Sequence, residues 1–426
     1  MPDYRNTRRE FARLFTIGGS AALFAARPGA WHETAFSQAP ATPDERYWAG
    51  IRDGFVMPKG YACLNAANLC PSPSRVLESY FDSTRSVDRD PSPQNRQKTR
   101  HGREEARKAL ASALRVTAEE IVITRNTSES NNFVSSGLDL KSGDEVVLFS
   151  DNHPSNLTAW RQKAERFGFA IRTVEQVNPH PGAEYYLDAF KHEITPRTRV
   201  VAFTHVTASV GDLLPARELC ALAHEHGALS MVDGAQSFGV LDLDLSQMQP
   251  DFFTGSAHKW PCGPKECGLL FVNRRAHDRI KPSIISLYPG EVGISRTMEA
   301  FGQRDEPAIV GFGEAIALQT EIGRAAIERR SRELARMLVE ELRKVEGVTV
   351  WTHHDPARTA AVVSFRPGDL DVRKLHQALY DRDMIACATR GGTDRGGLRF
   401  SPHFYNLHED VERAVAAVKR YLAHGI

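Results

Sequence analysis

Arg199-Val200-Val201-Ala202-Phe203, a β-branched and apolar run, leads into a helical pattern over residues 216–226, a stop at Gly227, and a second strand-like run, Leu229-Ser230-Met231-Val232. Strand, helix and strand in that order make a βαβ crossover, which lays the two strands parallel in one sheet. Asp233 follows at the carboxyl end of the second strand, the edge of an open α/β sheet where ligands gather. The same alternation of helical and strand-like segments begins near residue 104, with strand-like Ile121-Val122-Ile123-Thr124 and Glu145-Val146-Val147-Leu148-Phe149. The expectation is an α/β fold with a mainly parallel sheet flanked by helices.

Beyond Pro307 the texture changes to long helices, 313–345 with a break near Gly323, then 371–382 and 408–424, separated by short apolar segments such as 360–364 and 398–401. That pattern predicts a smaller α+β domain over 307–426, after a large domain over 64–306 and a segment, 42–63, that packs on the small one. The stretch 86–100, with Asp88-Arg89-Asp90-Pro91-Ser92-Pro93 at its heart, has the strongest loop character.

A chain of 426 residues with 41 % hydrophobic composition has ample core, which excludes whole-chain disorder, collagen and multi-span membrane architectures. With 54 Lys+Arg against 53 Asp+Glu, the net charge of +1 leaves no global footprint for nucleic acid. Cys63, Cys70, Cys220, Cys262, Cys267 and Cys387 fit no paired CxxC pattern, so no metal site is expected. They are read as buried small side chains, with Cys63/Cys70 and Cys262/Cys267 as the pairs to weigh against that.

The uncharged run 14–26 is 13 residues long, too short as a helix to cross a hydrocarbon core of about 30 Å and of the length of a signal-peptide apolar region. Upstream, Thr7-Arg8-Arg9-Glu10-Phe11-Ala12-Arg13 resembles a twin-arginine export motif, and Ala39-Pro40-Ala41 or Ser37-Gln38-Ala39 offers a cleavage site. Residues 1–41 are therefore read as an export signal, which implies the twin-arginine machinery as a partner and a bacterial periplasmic or otherwise exported location. An amphipathic first helix with a basic start is the alternative.

Lys259 stands in Asp251-Phe252-Phe253-Thr254-Gly255-Ser256-Ala257-His258-Lys259-Trp260-Pro261-Cys262-Gly263-Pro264, poor company for a solvated charge. Burial lowers a lysine pKa, and a neutral amine is what forms a Schiff base with an aldehyde cofactor. Other segments offer the remaining parts of a site for pyridoxal 5′-phosphate. Asp233, 26 residues earlier, is placed to keep a pyridinium nitrogen protonated, or to cap a turn. Arg125-Asn126-Thr127-Ser128 opens a helix whose amino terminus suits a phosphate, although Asn126 and Glu129 also make a capping-box spacing. His153, after strand 145–149, can lie over the ring, or be a surface-loop histidine.

Taken together, these residues resemble the class V aminotransferase-like family, which includes cysteine desulfurases, isopenicillin N epimerase-like proteins and kynureninases, and the likeness runs from about Leu64 to the end. The resemblance implies a PLP-dependent transferase of fold type I. It makes Lys259 the Schiff-base lysine, pairs Asp233 with the pyridine nitrogen, stacks His153 on the ring and sets Gln236 near its phenolic oxygen. Thr127, Ser128, Ser256 and His258 fall at phosphate-contacting positions. Gly397-Leu398-Arg399-Phe400-Ser401-Pro402 matches the segment whose arginine grips the substrate carboxylate, a task suited to a guanidinium fork, and Asn65 is assigned to the substrate as well. A structural ion pair is the other use for Arg399. Phe301-Gly302-Gln303-Arg304-Asp305 resembles the loop that reaches the phosphate of the neighbouring subunit, with Gln303 where the family usually has Thr. A homodimer with shared active sites follows from the resemblance.

Desulfurases carry a nucleophilic cysteine in a loop before the substrate arginine, and Thr389-Arg390-Gly391-Gly392-Thr393-Asp394-Arg395-Gly396-Gly397 has none. Thr204-His205-Val206-Thr207-Ala208-Ser209 has Ala208 where desulfurases usually carry Asn, and the segment resembles the epimerase-like branch. The implied activity is an external aldimine with an amino acid or amino-containing metabolite, loss of its α-proton to Lys259, and then epimerisation, transamination or side-chain tailoring. Exported members of the family include enzymes that tailor a peptide siderophore, so a secreted peptide-like metabolite fits. A C–S lyase or desulfurase, and a catalytically silent PLP-binding protein, are the alternatives. For an acid on the opposite face, Tyr61, His205 and Tyr405 are the residues to examine.

Overall fold

Seven strands form the larger sheet: β1 (Ile121–Thr124), β2 (Glu145–Phe149), β3 (Ala170–Val174), β4 (Thr198–Thr204), β5 (Leu229–Asp233), β6 (Phe252–Ser256) and β7 (Gly268–Val272). Their spatial order is β1-β7-β6-β5-β4-β2-β3, and every pairing is parallel except the two made by β7. The structure is a computed structural model that describes residues 37–391 and 394–426. The arginine pair and the apolar run 14–26 lie outside the described residues.

Strand residues alternate between two apolar clusters. Ile121, Ile123, Val147 and Phe203 join one, whereas Val122, Val146, Leu148 and Ala202 join the other. The two-residue period of a strand sends neighbours to opposite faces. Both faces are covered by helices, which is why these strands read as continuous apolar runs rather than alternating ones. The helices are α1 (Ser74–Arg89), α2 (Pro93–Leu114), α3 (Thr127–Gly137), α4 (Pro154–Phe167), α5 (Ala216–Glu225) and α6 (Glu306–Ile322). Leu110 of α2, Leu219 of α5 and Phe312 of α6 pack into the first cluster, and Phe133 of α3 and Trp160 of α4 into the second.

The stretch 86–100 corrects the sequence reading. It is the end of α1 and the start of α2, with only Asp90, Pro91 and Ser92 between them. Ser92 caps α2 by accepting from the Asn95 amide at 3.3 Å, and Pro93 occupies the first turn, where a missing N–H costs nothing. The same chemistry moves the start of the helix expected at residue 313 back to Glu306. Asp305 caps it through the Ala308 amide at 3.1 Å and Pro307 sits in its first turn, so the proline lies inside the helix it was read as preceding.

The smaller sheet consists of β8 (Val348–Val350), β9 (Val363–Pro367), β10 (Ala388–Arg390) and β11 (Gly397–Phe400). Its order is β10-β11-β9-β8, antiparallel throughout. The helices α7 (Arg324–Arg343), α8 (Val372–Asp383) and α9 (His408–His424) pack with it. Gly323, with φ of +102°, separates α6 from α7 at the expected break. All six cysteines are buried and free. Among the described residues, no helix is long and apolar enough to cross a membrane.

Candidate active site

The carboxyl ends of β1, β2, β4, β5 and β6 all open toward one cavity of about 310 Å³, and Arg390 and Arg399 of the smaller sheet close it. The lining includes Thr127, Ser128, His153, Asp233, Gln236, Ser256, His258, Lys259 and Arg399, so nine of the residues singled out from the sequence meet in one place.

Asp233 is 1 % exposed. Its Oδ2 accepts from Asn131 Nδ2 at 2.9 Å and from Asn156 Nδ2 at 3.3 Å, and its Oδ1 accepts from the Ala235 amide at 3.1 Å. Asn131 is itself oriented by the Thr254 hydroxyl, which donates to its Oδ1 at 3.0 Å. The carboxylate is thus held in one orientation by neutral donors, and no hydrogen-bonded cation balances it among the described residues. Such a buried charge is costly unless a ligand supplies the positive partner.

Lys259 follows β6, the strand that pairs directly with β5 and its terminal Asp233. Burial pulls the pKa of its ammonium below the usual lysine range; the Asp233 charge opposes that, and Arg390 adds to it. Gln236 is fixed at both ends of its amide, donating to the Ala67 carbonyl and accepting from Trp260 Nε1, each at 2.9 Å. His153 caps α4, its Nδ1 accepting from the Ser155 amide at 3.2 Å with the Ser155 hydroxyl 2.8 Å away. His153 is exposed at the cavity mouth, and partial desolvation of its ring, then the charge of Lys259, hold the imidazole pKa below its ordinary value. His258 is pushed down to about 4, by burial first and by Lys259 and Lys265 second.

The first turn of α3 forms the next wall. Asn126 caps the helix through the Glu129 amide at 2.9 Å, while the Thr127 amide and hydroxyl meet the Ser256 hydroxyl at 2.8 and 2.7 Å. Gly268 of β7 passes so close that an added Cβ would lie 2.7 Å from the Asn126 Cα. A helix amino terminus ringed by hydroxyls is a ready anion site. With the neutrally held carboxylate of Asp233 and the deprotonation-prone Lys259, these donors fit pyridoxal 5′-phosphate: Thr127, Ser128, Ser256 and His258 would hold its phosphate, Asp233 would face its ring nitrogen and Lys259 its aldehyde.

On the opposite wall, Arg399 is 1 % exposed. Its Nη1 donates to the Ala208 carbonyl at 2.9 Å, and its buried Nε has no hydrogen-bond partner among the described residues.

Three of the sequence-derived residues lie elsewhere. Asn65 precedes the lining residues Ala67 and Asn68 and keeps a buried Oδ1 without a partner among the described residues. Gln303 lines a separate cleft with Arg125, Glu129 and Arg304 and accepts from Arg96 at 2.6 Å; Gly302 adjoins it with φ of +76°. Tyr61, His205 and Tyr405 are not among the residues lining the cavity either. Sequence reasoning passed over Asn131 and Asn156, amides in the two helices that begin just after the strands ending at Thr124 and Phe149. It also passed over Arg390, read only within the stretch 389–397; the structure places it at the end of β10.

A model of the class-V aminotransferase family matches residues 71–414. The isopenicillin N epimerase of Amycolatopsis lactamdurans is 31 % identical over 332 residues, 74 % of this chain and 83 % of that one. A probable cysteine desulfurase of Methanothermobacter thermautotrophicus is 26 % identical over 393 residues, 85 % of this chain and 95 % of the relative. The apo structure of a cysteine desulfurase from Thermococcus onnurineus matches with a TM-score of 0.80 at 25 % identity, covering 91 % of this chain and all of that one. Matched over most of its length, the chain belongs to the class-V aminotransferase family, pyridoxal 5′-phosphate enzymes of fold type I.

Proposed function

We propose that this enzyme takes the α-proton from an amino acid or amino-containing metabolite and returns a rearranged product, by epimerisation, transamination or side-chain tailoring. The observation that carries the reading is the convergence of Lys259, Asp233 and Arg399 on one cavity. The bound cofactor would supply an electron sink for charge developing at the substrate α-carbon. The chain supplies the rest. The depressed pKa of Lys259 keeps its Nζ available to accept the α-proton. The fork of Arg399 takes the α-carboxylate, which fixes the direction in which the Cα–H bond points. His153 covers the cavity from the β2 side.

Export by the twin-arginine route and a homodimer in which the 301–305 loop reaches the neighbouring site are parts of the same proposal. They would place the substrate outside the cytoplasm and the cofactor in an already folded protein. The desulfurase relatives favour a second reading, sulfur removal from cysteine. It needs a thiol in the cavity, whereas Cys387 is buried away from the lining and burial pushes its pKa up to about 12.

Incubation of the cofactor-loaded enzyme with a panel of amino acids and amino-terminal peptides in deuterated water tests the reading. Wild type is expected to incorporate α-deuterium into at least one member and Lys259→Ala into none. Failure of wild type to exchange any of them overturns it, and sulfide release from cysteine selects the second reading.

A further inference from the structure

We infer that the cavity is shaped for an amino substrate with a second acidic group, and that Arg390 is the residue that selects it. The inference rests on the amino-substrate reading above and deepens it by naming the substrate class.

The pairing of β10 with β11 places Ala388 opposite Arg399 and Arg390 opposite Gly397. Residues two apart on a strand share a face, and directly paired residues do too. Arg390 and Arg399 therefore project from the same face of the smaller sheet as diagonal neighbours, about 7–8 Å apart at the backbone. Both line the cavity. Two long guanidinium side chains at that spacing can close on both carboxylates of one small amino diacid.

The second observation is their unmet hydrogen bonding. The Nε of Arg390 and the Nε of Arg399 are both buried without a partner among the described residues. One guanidinium fork satisfies one carboxylate, so an ordinary monoacid amino substrate leaves the other fork unmatched. Gly397, across the strand from Arg390, has no side chain to meet it. Burial lowers the pKa of Arg390 and Asp151 is the nearby acid that opposes this, but the Asp151 carboxylate accepts from the Ser209 hydroxyl and pairs with Arg395 Nη1 at 3.5 Å. The phosphate-binding donors, Thr127 and Ser256, belong to the larger sheet on the opposite wall, so the second cation is not needed there.

The test uses cofactor-loaded enzyme, following both the visible band and the melting temperature. Ligands come as acid–amide pairs: L-glutamate against L-glutamine, and the amine-free glutarate against glutaramate. Wild type should bind each acid at least about 10-fold more tightly than its amide, the size of one charge-assisted hydrogen bond. Arg390→Ala should erase that preference by weakening the acids far more than the amides, and Arg390→Gln, which keeps the stem, should do the same if truncation harms folding. Equal affinities for acid and amide in wild type overturn the inference, as does an Arg390 variant that weakens both equally. Glutarate binding without any band shift from amines would overturn the amino-substrate reading and leave the diacid pocket standing.

Discussion

The two walls of the cavity are finished to different degrees. On the larger sheet the carboxylate, amide and hydroxyl that face the cofactor site have protein partners: Asp233 has Asn131, Asn156 and the Ala235 amide, Gln236 has Ala67 and Trp260, and Thr127 has Ser256. On the smaller sheet Arg399 and Arg390 keep buried nitrogens unmet among the described residues. A group that stays through every turnover benefits from a frame that cannot move. A substrate that enters and leaves is bound by groups whose hydrogen bonding it alone completes, since unmet donors are satisfied only while it is there. The walls should therefore respond oppositely to mutation, in stability on one side and in substrate affinity on the other.

The largest effect belongs to Asp233. Asp233→Asn removes the charge that would hold a protonated ring nitrogen, and α-deuterium exchange should fall roughly 10²–10³-fold, the usual cost of one electrostatic stabiliser. Asp233→Ala should in addition lower the melting temperature, because the Asn131 and Asn156 amides lose their acceptor in a buried place. Exchange within about 3-fold of wild type in Asp233→Asn, well short of that range, would break the comparison at its firmest point.

A pH titration sharpens it next. The His205 amide donates to the Asp233 carbonyl at 3.0 Å, and full burial of its ring brings the imidazole pKa down from 6.5 to about 4. A group whose folded pKa lies below its unfolded value contributes stability that is fully present above the unfolded pKa and is lost as pH falls through the folded one. Unfolding free energy should thus drop by on the order of 3 kcal/mol between pH 6.5 and 4 through His205 alone. His403, brought down to about 3 by burial, extends the loss in the same direction. Urea melts across that range should show the fall, and His205→Asn should flatten part of it.

Arg399 tests the other wall. Arg399→Ala should raise KM by roughly 10–150-fold, the worth of about 1.5–3 kcal/mol for a charge-assisted bond, with a smaller change in kcat. Its melting temperature should hold or rise, because the variant removes a buried cation that lacks a full set of partners. Arg399→Lys should recover only part of the affinity, since an ammonium cannot reproduce the fork. A melting temperature that falls as far as in Asp233→Ala would erase the distinction between the walls.

How much of this was legible in the sequence follows the same division. Asp233, Lys259, Thr127 and His153 could be read because each ends a strand or lies in the turn just after one, and the strand's apolar run marks it in the sequence. The anchors of Asp233 could not, because Asn131 and Asn156 lie 102 and 77 residues from it along the chain and meet it only once the sheet has formed. Arg390 was hidden for a similar reason: its strand has three residues, too few for a period, and its diagonal relation to Arg399 exists only through pairing. The 86–100 segment misled in the opposite direction, since proline and serine read as breakers also serve as the first turn and cap of a helix.

The smallest expected effect concerns the joint between α3 and the sheet. A Cβ at position 268 would meet the Asn126 Cα and the Gly255 carbonyl oxygen, each at 2.7 Å, and both are backbone atoms that cannot rotate away. Gly268→Ala must therefore push β7 from the Asn126 turn, at a cost of about 1–2 kcal/mol by analogy with overpacked cores. The displacement falls on the turn that aims the Thr127 amide and hydroxyl at Ser256, so cofactor retention through dialysis should suffer more than the melt of the protein without cofactor. A variant that melts lower yet keeps its cofactor as tightly as wild type would show that the α3 turn tolerates movement, and that the larger-sheet wall is less rigid than its hydrogen bonds imply.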